Sequence, residues 1–339
     1  MASTTSKTMR TITLEEHYAT PAFLEGPGRQ LKERSQAGHA NPQVVMRNAQ
    51  LIDQLCNLGE RRIADMDAAG IDVQVLSLTS PGVEQLDADQ AVNLARDSND
   101  HLAEAVRRRP TRFAGFAALP TAAPDKAADE LERTIHDYGF KGAAINGHTR
   151  GRYLDDKFFW PILERAETLH APLYLHPTRP PKSVVDASYM GNFSPEVTSL
   201  LAAAAWGWHI ETALHVLRLI LSGAFDEYPN LQLVIGHLGE ALPFMLTRID
   251  NTLPMEVTKL DRPLGAYLRE NINYTFSGFN YITAFLDLLL NVGVDRIMFS
   301  ADYPYGSMAQ ARSFLDRLPV SPADKDRIAH GNAEHLLQL

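Results

Sequence analysis

Residues 11–21 read TITLEEHYATP, a β-branched run that ends in two carboxylates and an imidazole. A strand that only has to pack is followed by turn residues such as Gly, Asn or Pro. This one ends in Glu15, Glu16 and His17, whose side chains bind protons or metal ions. Because side chains alternate along a strand, Glu15 and His17 are predicted to share one face and Glu16 to point to the other.

The same stretch helps to decide the fold. A doubly wound open sheet would need a glycine-rich phosphate turn after its first strand, and LEEHYATP has none. The rest of the chain alternates between strand-like and helix-like segments. This pattern predicts a closed (β/α)8 TIM barrel, an α/β fold whose parallel strands are buried on both faces. The predicted strands lie at about residues 11–17, 72–79, 112–119, 140–146, 172–177, 231–237, 271–277 and 295–302.

The predicted barrel is a single catalytic domain over residues 11–339, after a flexible tail at residues 1–10 that lacks the apolar segment of a signal peptide. Residues 22–50 are rich in Pro, Gly, Gln and Asn, so we expect an extended first loop that can cover the site. A small polar insertion is expected at 178–194, and one helical block over 197–223.

Composition limits the possible partners. The 339 residues are 45% hydrophobic, which is enough for a large core, and 32 basic against 41 acidic side chains give a net charge of −9. That balance argues against nucleic acid or an anionic membrane as the main partner. No apolar run approaches the roughly 18 residues of a membrane span. Cys56 is the only cysteine, which excludes an intrachain disulfide and favours a cytoplasmic location.

In such barrels the active residues lie at the C-terminal ends of the strands and in the loops that follow. At those positions the sequence has Glu15, His17, Ser77, Thr79, Asn146, His148, His176, His237, Ser277 and Asp302. Four of these side chains, two carboxylates and two imidazoles, suit one divalent cation and leave coordination positions for water or substrate. They are those of Glu15, His17, His176 and Asp302. Ligand type favours Zn²⁺ or Mn²⁺ over Mg²⁺. Asp302 has a structural alternative, because an Asp after a strand often caps the next helix.

A second pair follows the sixth predicted strand. His237 is followed three residues later by Glu240, and a carboxylate that orients an imidazole makes a pair able to move a proton. The alternative is that Glu240 only begins a helix, where negative charge is favoured. Trp206, Trp208 and His209 lie in the Ala-rich helical block and are predicted to serve packing or a subunit interface.

These motifs resemble those of a known family. The ExH on strand one, LYLHPT (173–178), VIGHLGEALP (234–243) and FSADYPYG (299–306) occur in the order found in the amidohydrolase superfamily. They resemble in particular its decarboxylase branch, that of the gamma-resorcylate and 2,3-dihydroxybenzoate decarboxylases. The resemblance runs from about Thr11 to the C-terminus.

The resemblance implies one divalent metal, no organic cofactor, and non-oxidative loss of CO2 from an ortho-hydroxybenzoate, a small aromatic carboxylic acid. It implies the same four metal ligands, with His237 and Glu240 handling protons. Asn146 and Arg248 fall where relatives contact substrate, and Arg248 can serve the site of a neighbouring subunit in a homodimer or homotetramer. The absence of a Lys at the end of strand four, and Glu15 in place of a first His, favour one metal over two.

A mechanism follows as a hypothesis. Direct loss of CO2 from the ring would leave an aryl carbanion, so a proton must first reach the carbon that carries the carboxylate. Asp302 is the predicted acid, and His237 with Glu240 assists. Two alternatives remain open. One is a mononuclear hydrolase that attacks a lactone or amide with His237 as the base, and the other is a non-catalytic metal-binding barrel.

Overall fold

The computed structural model describes residues 9–36 and 42–339, and within them parallel strands form a barrel surrounded by helices. The third predicted strand is interrupted at Phe116, so nine strand segments build the eight strands of the barrel. We call these eight barrel strands staves, and the third stave consists of two segments. Their bounds are β1 (Ile12–Tyr18), β2 (Val73–Leu78), β3 (Phe113–Gly115), β4 (Ala117–Ala118), β5 (Ala143–Asn146), β6 (Leu173–His176), β7 (Leu233–Ile235), β8 (Ile272–Thr275) and β9 (Ile297–Met298).

Hydrogen bonds close the strands into a barrel. The ladders run β1-β2-β3 and β4-β5-β6-β7-β8-β9, and every pairing is parallel. The Phe116 N–H donates to the Leu76 carbonyl at 2.9 Å and so joins the third stave to the second. The Leu14 N–H donates to the Phe299 carbonyl at 3.2 Å, which joins the first stave to the last. The predicted (β/α)8 barrel is therefore confirmed, and the open sheet is excluded because it would leave β1 unpaired with the final stave.

Two apolar layers hold the barrel. The interior is filled from alternate positions of the strands by Ile12, Leu14, Val73, Val75, Ala114, Phe116, Ala144, Tyr174, Val234 and Met298. A larger layer lies between the outer face of the strands and the helices, and it includes Leu173, Leu175, Leu233 and Ile235. Burial on both faces explains why strand sequences such as LYLH and LVI are apolar without strict alternation.

The helices follow the strands around the outside. Their bounds are α1 (Pro21–Glu25), α2 (Arg29–Gln36), α3 (Pro42–Cys56), α4 (Glu60–Ala69), α5 (Ala88–Arg108), α6 (Pro124–Tyr138), α7 (Trp160–Thr168), α8 (Lys182–Ser188), α9 (Pro195–Leu201), α10 (Gly207–Leu221), α11 (Ala224–Glu227), α12 (Leu242–Thr252), α13 (Met255–Thr258), α14 (Leu264–Glu270), α15 (Ile282–Val292), α16 (Met308–Asp316), α17 (Pro322–Asp326) and α18 (Asn332–Leu337). In the described part of the chain, no helix combines the length and apolar character needed to cross a membrane.

Local signals in the sequence set several helix ends. The Asp87 carboxylate accepts the Gln90 N–H at 3.1 Å and caps α5. Gly139 ends α6 in the left-handed conformation, with φ of 68°, which glycine adopts without the steric cost of a Cβ.

The prediction of an extended loop over residues 22–50 is wrong for the described residues, which form α1, α2 and the start of α3. Thr20 accepts the Phe23 N–H at 3.1 Å, and Pro21 occupies the first turn of α1. Gln, Lys, Arg and Met are good helix formers, so an exposed helix built from them needs no strong apolar periodicity. Residues 37–41 of the predicted loop lie outside the described residues.

One further expectation is corrected beyond the fifth stave. The predicted helical block at 197–223 is divided into α9 and α10, and the insertion that precedes it contains α8. The division falls at Gly207, where a Cβ would lie 2.5 Å from the Ala202 carbonyl oxygen, so the chain turns back closely on itself. The division into a tail and one barrel domain stays a prediction, and residues 1–8 of that tail lie outside the described residues.

Candidate metal centre

Glu15, His17, His176 and Asp302 come from three staves and meet at the C-terminal mouth of the barrel. One ligand atom from each of the four lies within 4.8 Å of the others. His17 Nε2 is 3.0 Å from Asp302 Oδ1, and His176 Nε2 is 3.4 Å from Glu15 Oε1. The two imidazoles pack edge to face with their centroids 4.8 Å apart. The structure thus brings together all four of the predicted ligand residues.

A β-bulge in the first strand makes this meeting possible. Ile12 and Leu14 point into the barrel, so regular alternation would send Glu15 outward. The pairing of β1 with β2 shifts register between Thr13 and Glu16, and Glu15 has a φ of 68°. The bulge turns Glu15 inward beside His17, as bulges near active sites do. The predicted common face of Glu15 and His17 therefore exists through a backbone irregularity that side-chain alternation alone does not predict.

The carboxylate of Glu15 is anchored on one side only. Its Oε2 accepts hydrogen bonds from the hydroxyls of Tyr174 and Ser277, and from that of Thr275 at 3.3 Å. Its Oε1 is buried, has no hydrogen-bond donor, and lies 3.9 Å from His237 Nε2. A buried, unpaired carboxylate oxygen is costly, and a divalent cation between it and the imidazoles would satisfy it. The donor set therefore fits a metal ion.

Sequence reasoning missed Tyr174 and Thr275 as parts of this anchor. A usable signal was present, because Tyr174 stands two positions before His176 on the same strand and so shares its face. Thr275 stands in the same relation to Ser277. Both hydroxyls lie one layer below the proposed ligands, where they hold Glu15 Oε2 and leave Oε1 facing the centre.

Asp302 does not serve as a helix cap. The next helix, α16, begins at Met308, and its cap is Ser307, which accepts the Gln310 N–H. Asp302 instead has a φ of 60°, and its carbonyl accepts the Gly306 N–H at 2.6 Å in the loop that follows β9. Burial and the nearby charge of Glu15 raise the pKa of the Asp302 carboxyl well above its usual value.

His237 and Glu240 form the predicted pair, and His209 extends it. His237 Nδ1 lies 2.8 Å from Glu240 Oε1, and His209 Nδ1 lies 2.6 Å from Glu240 Oε2. Glu240 does not begin a helix, since α12 starts at Leu242. The expectation that His209 serves only packing or an interface is wrong, because its imidazole bonds directly to the second oxygen of Glu240.

The turn that carries the pair is strained. His237, Leu238, Glu240 and Ala241 all have positive φ between 52° and 66°, a region that non-glycine residues rarely adopt. Burial alone would lower the pKa of His237, but the charges of Glu240 and Glu15 outweigh it and raise that pKa to about 10. The charge of His237 in turn holds the pKa of Glu240 below its usual value against the effect of burial. The turn therefore presents an imidazole that holds a proton next to the proposed metal ligands.

The two predicted substrate-contact residues lie in different places. Asn146 ends β5 in direct register with His176, its N–H donates to Glu84 Oε1 at 2.6 Å, and its buried Oδ1 has no partner. Arg248 lies on the exposed side of α12, and no ion pair joins it to the described residues. His148 is a loop residue that accepts the Gly151 N–H at 3.0 Å.

Comparisons with known proteins agree with this geometry. A family model described as amidohydrolase matches residues 49–339. The chain is 37% identical to a gamma-resorcylate decarboxylase of a Polaromonas species, over 97% of this chain and 98% of that protein.

Solved structures of other proteins are also similar to this chain in sequence and in fold. A dihydroxybenzoic acid decarboxylase of Polaromonas, crystallised with manganese and the inhibitor 2-nitroresorcinol, is 35% identical with a TM-score of 0.87, and the match covers 97% of both chains. A 5-carboxyvanillate decarboxylase of Novosphingobium aromaticivorans, crystallised with manganese and a nitrobenzoic acid, is 36% identical with a TM-score of 0.88, covering 98% of this chain and 97% of that one. The family model and the near full-length relatives confirm the predicted family, and this chain belongs to the amidohydrolase family.

Proposed function

We propose that this protein is a metal-dependent, non-oxidative decarboxylase that converts an ortho-hydroxybenzoate to a phenol and CO2. One observation carries the proposal. A buried carboxylate oxygen without a donor, Glu15 Oε1, faces two imidazoles and Asp302 at the mouth of a barrel. Relatives of nearly the same length that are named as decarboxylases of dihydroxybenzoates support the reaction.

Glu15, His17, His176 and Asp302 would hold one divalent ion. Two carboxylates and two imidazoles suit Mn²⁺ or Zn²⁺ better than Mg²⁺, and manganese in the structures of two relatives favours Mn²⁺. When bound, such an ion supplies positive charge that orients and stabilises an anionic substrate.

Asp302 is the group we assign to proton delivery. Protonation of the ring carbon that bears the carboxylate avoids an aryl carbanion, and loss of CO2 from that carbon then restores the aromatic ring. A carboxyl group that lies at the proposed metal centre is placed to act as this general acid. An ortho hydroxyl on the substrate helps, since its oxygen donates electrons into the ring at the carbon to be protonated.

His237 is assigned to exchange the phenolic proton, with Glu240 as its orienting partner. Because Glu240 bonds to Nδ1, the other ring nitrogen of His237 remains directed at the centre, 3.9 Å from Glu15 Oε1. His209 holds the second oxygen of Glu240 and so fixes the carboxylate between two imidazoles.

We also propose that Asn146 contacts the substrate and that the protein is a homodimer or homotetramer. Phe244 of α12 and Leu290 of α15 are 78% and 84% exposed, and α12 packs against α15. A surface of this kind commonly marks a subunit interface. Arg248 lies one helical turn from Phe244, so it would enter that interface and serve the substrate of the neighbouring subunit. A cytoplasmic location, and the absence of nucleic-acid, membrane and organic-cofactor partners, stay predictions.

A direct test uses the purified protein stripped of metal and reloaded separately with Mn²⁺, Zn²⁺ or Mg²⁺. We expect metal-dependent CO2 release from 2,6-dihydroxybenzoate, 2,3-dihydroxybenzoate or salicylate, and none from 4-hydroxybenzoate, which lacks the ortho hydroxyl. Hydrolysis of a lactone or amide without CO2 release from any of these acids would replace the proposal with a hydrolase. Metal uptake without turnover of either kind would leave only a metal-binding barrel.

A further inference from the structure

A buried polar cluster contacts the backbone of the segments that carry His17 and Asp302, and the mechanism does not use it. It consists of Glu16 on β1, Arg62 on α4 and Gln74 on β2, and none of the three side chains is exposed to solvent. Buried ionisable groups of this kind are rare in barrel proteins unless they are paired.

Glu16 binds the backbone on both sides of Asp302. Its Oε1 accepts the Ala301 N–H at 2.9 Å, and its Oε2 accepts the Tyr303 N–H at 3.1 Å. Asp302 therefore stands between two amides that are bound by one carboxylate. The cause is the bulge at Glu15, which turns Glu15 and His17 toward the centre and leaves Glu16 facing the last stave.

Arg62 binds the other side of the same centre. Its Nη1 donates to the carbonyl oxygen of His17 at 2.8 Å, and its Nε donates to Gln74 Oε1 at 2.8 Å. The guanidinium lies 4.8 Å from the centroid of the Tyr303 ring. In addition, the His17 N–H donates to the Tyr303 carbonyl at 2.7 Å. The backbones of His17 and of the Asp302 loop are thus tied to one buried cluster.

We infer that Glu16, supported by Arg62, is a positioning residue that fixes Asp302 relative to His17 and so sets the geometry of the metal centre. The inference rests on the proposed function, in that the four ligand residues hold a cation. Asp302 has a φ of 60°, a conformation that persists in a non-glycine residue only when its surroundings over-determine it. The two hydrogen bonds to Glu16 supply that constraint.

The test is Glu16→Gln, which keeps the size of the side chain but offers only one acceptor oxygen for two backbone N–H groups. Partners that orient metal ligands typically contribute about 10–100-fold to metal affinity or activity. We expect the dissociation constant for Mn²⁺, measured by competition with a chromophoric chelator, to rise about 10–100-fold. With saturating metal, kcat should fall while KM changes little, because the substrate contacts remain.

A matched control is Glu130→Gln on α6. Glu130 is also largely buried and accepts a hydrogen bond from Asn99 at 2.8 Å, but it contacts no proposed ligand. It should lower the melting temperature while leaving the Mn²⁺ affinity as in the wild type. The Mn²⁺-induced rise in melting temperature should shrink for Glu16→Gln alone, because a purely structural change lowers the metal-free and metal-loaded forms equally.

If Glu16→Gln does not fold, Arg62→Lys carries the test, since an ammonium cannot reproduce the forked contact with His17 and Gln74. It should also weaken Mn²⁺ binding. Wild-type Mn²⁺ affinity in a folded variant of Glu16 or, failing that, of Arg62 would overturn the inference. Metal affinity is measured without substrate, so the two proposals can fail separately. A wild-type protein that binds Mn²⁺ but releases no CO2 would reject the proposed reaction, while the Mn²⁺ affinity of the variants would still decide the role of Glu16.

Discussion

Single residues at the barrel mouth depart from regular backbone geometry at the positions that matter most. Glu15, His237 and Asp302 all have positive φ. Each such residue costs of order 1–3 kcal/mol unless its surroundings enforce it. All three belong to the proposed metal centre or to the proton-handling pair, which indicates that the fold holds them there against local preference.

At Asp302 we predict that Asp302→Asn largely abolishes turnover. The amide cannot deliver the proton that the ring carbon requires, and general acid catalysis contributes about 10²–10⁴-fold to rate. The measurement is kcat for CO2 release with metal content determined on the same sample. Asp295→Asn, at the opposite end of the last stave and exposed to solvent, should keep wild-type kcat. Near-normal turnover of metal-loaded Asp302→Asn would exclude the proposed acid.

At Glu240 we predict that Glu240→Gln lowers kcat by about 10–100-fold, the usual effect of losing a partner that orients a functional imidazole. The carboxylate charge is the main influence that raises the pKa of His237 against burial. Removing it should therefore move the limb of the pH–rate profile that belongs to His237 to lower pH. An unchanged profile and kcat would show that the pair takes no part in proton transfer.

At the scale of elements, α10 is anchored to the segment after β5 by a buried histidine. His215 Nε2 accepts the Leu154 N–H at 2.8 Å, so the ring must be neutral at that nitrogen. Burial lowers the pKa of His215 to about 3, and the neighbouring His148 and Arg218 act in the same direction. The unfolded chain has an ordinary histidine with a pKa of about 6.5. Between these values the unfolded state binds a proton that the folded state does not.

We therefore predict that the free energy of unfolding falls as the pH is lowered below about 6.5. This residue contributes up to about 1.4 kcal/mol per pH unit down to pH of about 3. Urea unfolding between pH 7 and pH 5 measures the slope. His215→Gln, whose amide oxygen can accept the Leu154 N–H, should flatten it, whereas exposed His136→Gln should retain the wild-type slope. An equal slope in all three proteins would contradict the assignment.

At the scale of the whole molecule, the exposed apolar side chains of α12 and α15 predict the assembly. Phe244→Asp places a charge in the proposed interface and should shift the protein toward monomers in analytical ultracentrifugation. Because Arg248 is proposed to act across that interface, CO2 release should fall with it. Phe158→Asp, on an exposed aromatic that follows β5, is the control and should leave the assembly intact. A wild-type protein that is already monomeric would exclude both the proposed oligomer and the proposed role of Arg248 in the site of a neighbouring subunit.

Much of the architecture follows from local pattern. Apolar strands at regular intervals are sufficient to predict the barrel, and residue types such as Asp87 and Gly139 set the ends of α5 and α6. The sequence does not predict the first helices, because residues 22–50 are rich in Pro, Gly, Gln and Asn, which are typical of loops. The sequence gives no sign that His209 bonds to Glu240, because the two residues are 31 positions apart in the chain. No local pattern reveals a contact of that separation.

The sequence by itself determined the barrel, the family and the identity of the four residues that gather at its mouth. Strand periodicity and residue type are local properties, and the ends of parallel strands must meet at one edge. Only the tertiary structure decided how those residues face one another. The bulge at Glu15 and the hydrogen bonds between Glu16 and the backbone on both sides of Asp302 depend on contacts between the first and last staves. These staves are about 285 positions apart in the chain, so the contacts form only when the barrel closes.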